Sequence, residues 1–171
     1  SQKTNNDALL SMKIILDHLD NDKSYHDSLD FHFGRSSNFD FWDLSEMVFE
    51  SVNSKGLDII SNKNLRDSLA LAYGSLNRSI NYAGFRYHDY IDHAVLNIFN
   101  SRFKEAWKGA SSSAKHIYMH PLNFEALKED HEYLYFMRTL PNMQYYKLII
   151  PLKNTQKLLE RLLKLIDQEL K

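Results

Sequence analysis

Helix breakers are scarce in this chain: 5 glycines and 3 prolines occur in 171 residues. A β fold with many tight turns draws heavily on both types, because glycine supplies positive φ and proline presets the turn. The scarcity therefore predicts long helices packed on one another. With 43% apolar residues, a chain of this length can bury one core without disulfide or metal staples. A single domain over 1–171 is expected.

Periodicity places the helices. Leu9, Met12, Leu16 and Leu19 step by three and four, the spacing of one helix face. They predict a first helix over 7–33, closed by Gly34. Its stripe turns polar at Lys23, His26 and Asp30, so the second half should pack less tightly. A shorter helix is predicted over 39–54, with Trp42, Met47 and Phe49 as its apolar bulk and Gly56 as its C-cap. Ser61 or Asn62 then caps a third helix over 63–108, with Leu65, Leu69, Leu76, Ile80, Tyr87, Ile91 and Ile98 along its apolar side. Gly74 and Gly84 inside it mark close packing or a bend. Gly109 and the serines at 111–113 form the best linker candidate.

Pro121 and Asn123 open a helical turn to Leu127, and a last helix starts near Asp130. Pro141 and Pro151 fall within it. Each removes an amide donor and crowds the preceding turn, so a kink or break is expected near Pro141 and a milder one near Pro151. Beyond Pro151 the seam is Leu152, Thr155, Leu159, Leu162 and Ile166. It matches the seam of the first helix in type and period, which predicts that the two chain ends pair as the stem of a bundle. The expected fold is all-α, an elongated antiparallel four-helix bundle with long first, third and last helices.

Charge narrows the function classes. Lys and Arg number 21 against 22 Asp and Glu, a formal net charge of −1. No basic surplus exists to neutralise a phosphate backbone, which argues against nucleic acid as a partner. The absence of cysteine removes thiolate catalysis and thiolate metal sites. No apolar run approaches the roughly 18 residues of a membrane span, and no glycine-rich phosphate loop, dinucleotide fingerprint or nucleophile elbow is present. No catalytic residue, cofactor or metal is assigned from motifs.

The most distinctive stretch, 47–77, reads MVFESVNSKGLDIISNKNLRDSLALAYGSLN. Ser54, Gly56 and Leu57 form a turn, Ile60, Ser61 and Asn62 a cap, and Leu65 and Arg66 open a helix that reaches Tyr73. This order resembles an uncharacterised bacterial family of small single-span membrane proteins. The resemblance is specific over this stretch and loose over the rest of the chain; the aromatic pair often seen near Tyr73 is reduced here to Tyr73 followed by Gly74. It implies a helical domain outside the cytoplasm, membrane-anchored on the periplasmic or extracytoplasmic face, with the span just before Ser1 and absent from this chain. It carries no activity.

Eight histidines make metal binding the chemistry to weigh. His18, Asp22, His26 and Asp30 follow at four-residue steps and would share one face of a continuous helix. His88, Asp89, Asp92 and His93 form a second cluster, in which an adjacent His-Asp would suit a metal-dependent phosphohydrolase given further ligands from other helices. A solvated polar face is the simpler reading of both. His116 and His120 read as loop chemistry. Arg78, Tyr82 and Arg86 share a face of the third helix; two guanidiniums and a phenol make a clamp for a carboxylate or phosphate. Tyr133, Tyr135, Phe136, Tyr145 and Tyr146 read as core and interface.

The functional expectation is a non-enzymatic extracytoplasmic domain that senses a small anionic ligand or holds a protein partner. The alternatives are a metal-dependent helical enzyme built on the His88–His93 cluster, and an oligomerisation module that forms a homodimer through exposed aromatics.

Overall fold

The computed structural model describes residues 2–41, 47–54, 56–109 and 117–170. Trp42, the serines at 111–113 and His116 lie outside them. The described residues are mostly helical and hold no strand; two isolated antiparallel bridges join Phe103 to Pro121 and Lys108 to Tyr118.

Helix α1 (Gln2–Asp20) buries Asn5, Ala8, Ser11, Met12, Ile15 and Leu19, a single face at helical spacing. The helix expected over 7–33 does not continue. Asp22 turns to φ +50, the Lys23 amide donates back to the His18 carbonyl at 3.0 Å, and the side chains of Asn21 and Lys23 donate to Asp17. The polar stretch from Asp20 to Asp27 has no apolar seam to hold it on a core, so these local bonds compete with the helix. The chain reverses, and α2 (Ser28–Ser36) packs against α1.

Gly34 lies inside α2 rather than beyond its end. A Cβ there would sit 2.3 Å from the Ile117 carbonyl oxygen, so its role is to let the 117–118 backbone cross the helix. Residues 38–41 are not helical, and α3 (Met47–Ser54) is the described part of the second expected helix. Gly56 follows it at φ +88 with its amide on the Asn53 carbonyl, a left-handed conformation that favours glycine.

The third helix is a rod of three parts: α4 (Lys63–Leu71), a π-helical turn over Ala72–Leu76, and α5 (Asn77–Asn97). The Asn62 side chain caps it, accepting from the Leu65 amide at 3.2 Å. It ends at Asn97, short of the expected 108. Beyond it come a short 3-10 turn (Phe99–Ser101) and irregular chain to Gly109. Backbone groups there bond across to the next segment instead: Lys104 N to His120 O, Leu122 N to Arg102 O, and Lys108 with Tyr118 in both directions. Paired this way, the segment needs no helix to satisfy its donors. It also delivers Phe99 and Phe103 to the core, where Phe103 meets Phe33 at 5.1 Å and Phe99 meets Phe136 at 5.4 Å.

After α6 (Phe124–Glu129), capped by Asn123, comes α7 (His131–Gln144), capped by Asp130. A second π-helical turn, Tyr145–Ile149, joins α7 to α8 (Ile150–Glu169). The chain stays helical through both prolines, and its α-helical ladder changes step in the π-turn between them. Pro141 is inside α7, where burial of Tyr133, Leu134, Phe136, Met137, Leu140 and Gln144 outweighs one missing hydrogen bond, at about 3 kcal/mol. Pro151 follows the wide turn, whose last long bond runs from the Ile150 amide to the Tyr145 carbonyl. The lost donor thus falls where the hydrogen-bond ladder is already changing step.

Two cores result. The larger gathers α1, α2, α5, α7 and the irregular segment around Met12, Phe33, Tyr87, Phe136 and Met137. The smaller holds Leu65, Ala72 and Leu162, flanked by Leu69, Leu158, Leu165 and Ile166. The seam of α8 therefore pairs with α4, and α1 packs with α2 and α7. This corrects the expected pairing of the chain ends: matched period makes two helices compatible, but chain connectivity decides which two meet.

Candidate functional site

The groove between α5 and the C-terminal rod has a volume of about 420 Å³ and is lined by Arg86, Asp89, Tyr90, Met143 and Lys147. Arg86 and Tyr90 stand four apart on α5, and Met143 and Lys147 four apart on the rod opposite, so each helix offers one face. The π-turn is the element that meets α5 here, and Lys147 lies within it. A π-turn inserts one residue per turn and is common at functional sites.

Three of these side chains carry charge. Among the described residues, none of Arg86, Asp89 and Lys147 has a hydrogen-bond or ion-pair partner. Tyr90 is fixed by stacking on Phe136, with ring centroids 5.3 Å apart and planes at 25°. Burial pushes its hydroxyl pKa up, with the neighbouring Tyr135 adding to it, so it remains an O–H donor at neutral pH. One turn earlier, Tyr87 is fully buried, its hydroxyl without a partner among the described residues.

The structure brings only one member of the sequence-derived clamp to this groove. Arg86 lines it; Arg78 and Tyr82 do not. Arg78 folds back, its Nε donating to the Gly74 carbonyl at 2.9 Å, a group in the π-turn Ala72–Leu76. It stands eight residues from Arg86, about 12 Å along a helix, too far to share one small anion. Tyr82 is 66% exposed. Lys147 and Met143 complete the groove, and no sequence pattern linked them to Arg86, because they lie on a different helix.

The histidine clusters are dispersed. The stripe from His18 to Asp30 is cut by the break after α1. His18 bonds the Ile14 carbonyl, Asp22 pairs with Lys128, and His26 bonds Ser28. On α5, His88 pairs with Asp92 at 3.0 Å and His93 meets Asn97 at 3.1 Å, both on the exposed side. Among the described residues no three His, Asp or Glu side chains converge as a metal site.

One cluster escaped the sequence altogether. The carboxylate of Asp30 receives the Tyr25 hydroxyl and His120 Nδ1, the latter at 2.9 Å. Tyr25 and His120 also meet at 3.1 Å. Burial first, and the Asp30 hydrogen bond second, raise the Tyr25 pKa. The cluster ties the start of α2 to the chain before α6, across 90 residues of sequence. Of the aromatic group at 133–146, Tyr133 and Phe136 are core, whereas Tyr135, Tyr145 and Tyr146 are exposed.

Among the described residues, no helix is long and apolar enough to cross a membrane. Comparison of the chain with protein-family models, with curated proteins and with solved structures gave no match.

Proposed function

We propose that this chain is a non-enzymatic, membrane-anchored extracytoplasmic domain that binds a small anionic ligand in the groove between α5 and the Tyr145–Ile149 turn. The observation that carries the reading is that Arg86 and Lys147 line one groove and neither makes a hydrogen bond or ion pair with a described residue. A guanidinium offers a planar fork that matches carboxylate or phosphate, and the ammonium adds a second point charge. Tyr90 adds a neutral donor to the same lining. The groove volume falls in the range of small-molecule sites, roughly 300–1,000 Å³.

The anchoring rests on the resemblance carried by 47–77, with the span supplied by sequence outside this chain. The frame is an elongated antiparallel four-helix arrangement, in which the two rods flank the groove. A docked protein partner or a homodimer through the exposed Tyr82, Phe85 and Tyr146 is the second reading, favoured by the 66%, 61% and 67% exposure of these rings.

A ligand that binds only the folded state raises the melting temperature by mass action. Thermal unfolding against carboxylates, phosphate and sulfate should show a rise, abolished in Arg86→Gln and Lys147→Gln and retained in Arg78→Gln. No rise with any of these anions overturns the ligand reading. A topology reporter at the C-terminus of the intact protein tests the location; a cytoplasmic signal overturns the extracytoplasmic part. Light scattering that shows mass rising with concentration favours the dimer.

A further inference from the structure

We infer that the anion this groove takes is the carboxylate of a zwitterion, an α-amino acid. The inference rests on the reading of the groove as an anion site and adds its third charge. Asp89 lines the same groove as Arg86 and Lys147, and like them it has no partner among the described residues.

A site for a simple anion gains nothing from a carboxylate in its wall. An unpaired Asp near the ligand repels it, and a simple anion site is better served by Asn or Ser at that position. The same carboxylate is useful if the ligand carries a cation next to its anion. An α-ammonium lies one carbon from the carboxylate, so both ends of the ligand must find opposite charges within one small groove. Arg86 and Asp89 are three apart on α5, which sets a guanidinium and a carboxylate side by side on one face. Lys147 reaches the groove from the opposite rod. The carboxylate of the ligand is held between Arg86 and Lys147, and its ammonium donates to Asp89.

The remaining wall fits the third part of such a ligand. Met143 is an adaptable apolar surface, and the Tyr90 ring, held by Phe136, is a flat one. They receive an apolar or aromatic side chain. With two cations and one carboxylate in the groove, an acidic side chain would also be accommodated electrostatically, next to whichever cation the α-carboxylate leaves less engaged.

The test compares each amino acid with the acid that lacks only the ammonium. Titration calorimetry of the 171-residue chain is run with leucine against 4-methylpentanoate, phenylalanine against 3-phenylpropanoate, and glutamate against glutarate. At least one amino acid should bind about tenfold tighter than its partner acid, the scale of one charge-assisted hydrogen bond. Asp89→Asn should bring that pair to equal affinity without weakening the plain acid. Arg86→Gln should weaken both members. If the plain acids bind as well as the amino acids, this inference fails and the anion reading stands. If neither class binds, this inference fails, and the anion reading fails with it only when phosphate and sulfate also leave the melting temperature unchanged. An amino-acid preference that persists in Asp89→Asn also overturns the inference, because the ammonium is then recognised elsewhere.

Discussion

Arg102 grips Asp130 with two parallel hydrogen bonds, from Nε at 2.7 Å and from Nη2 at 3.0 Å. The same carboxylate caps α7 by accepting the Tyr133 amide at 2.9 Å. One aspartate thus joins the irregular segment after α5 to the start of the C-terminal rod. The Arg102 side chain is 13% exposed and the Asp130 side chain 24%, so water screens the pair only partly.

Removing that carboxylate should be costly. Asp130→Ala loses the cap and one of the two carboxylates on Arg102, which keeps Glu132 at 2.7 Å, a loss of about 2 kcal/mol. Hydrogen bonds from Arg102 hold the Asp130 pKa below the usual carboxylate value. A lowered folded-state pKa contributes stability that is present above the unfolded pKa, about 3.9, and lost as pH falls through the folded one. Urea unfolding should therefore show the gap between wild type and Asp130→Ala closing as pH drops below about 4. A gap that stays constant to pH 2 contradicts this.

Two glycines should respond to alanine with opposite signs. Gly34→Ala forces a Cβ onto the Ile117 carbonyl oxygen, and overpacking against backbone costs roughly 1–3 kcal/mol. Gly74→Ala meets nothing within 4 Å, and alanine lowers the conformational freedom of the unfolded chain, a gain of up to about 1 kcal/mol. Melting curves of the two variants on either side of wild type would agree with the structure.

The α4/α8 end should open before the rest. Its core is small, with Leu65, Ala72 and Leu162 as the buried members, and the Glu169 carboxylate fastens it by accepting the Ser61 hydroxyl and the Ser61 and Asn62 amides. Hydrogen exchange on Glu169→Gln should speed up at 61–66 and leave Met137 and Ile91 unchanged. Leu162→Ala should cost about 2–4 kcal/mol of local stability, read from the same amides. Equal acceleration throughout the chain would mean that the two cores unfold as one.

High pH should unfold the protein through its tyrosines. Burial raises the hydroxyl pKa of Tyr25, Tyr87, Tyr90 and Tyr133. A raised folded-state pKa gives stability that is complete below the unfolded pKa, about 10, and is lost as pH rises through the folded one. Phenolate absorbance from these four should then appear only together with the loss of helix. A single smooth titration with the helix intact would contradict the burial.

How much of this was legible in the chain differs from element to element. The caps could be read because their chemistry is local: Asn62 accepts from Leu65, Asn123 from Ala126 and Asp130 from Tyr133, each three residues on. Gly56 was readable for the same reason. The break after Asp20 was visible only as a fading seam, since the Lys23 amide reaching His18 leaves no pattern of its own. Arg86 could be singled out as a cation on one face of its helix, but its sharing a groove with Lys147 could not, because the place of Lys147 opposite α5 depends on the π-turn Tyr145–Ile149. The effect of proline was legible only in part for a related reason: its local cost is fixed, whereas the burial that offsets it around Pro141 is set by other helices.

The sequence by itself determined that the chain is helical, where α4, α6 and α7 begin, and which faces are apolar, since propensity, capping and periodicity act over a few residues. Only the tertiary structure decided that α8 packs on α4, that 98–109 carries buried aromatics without being α-helical, and that Tyr25, Asp30 and His120 meet. Those outcomes depend on contacts between residues far apart in the chain, whose energies exceed the local preferences they override.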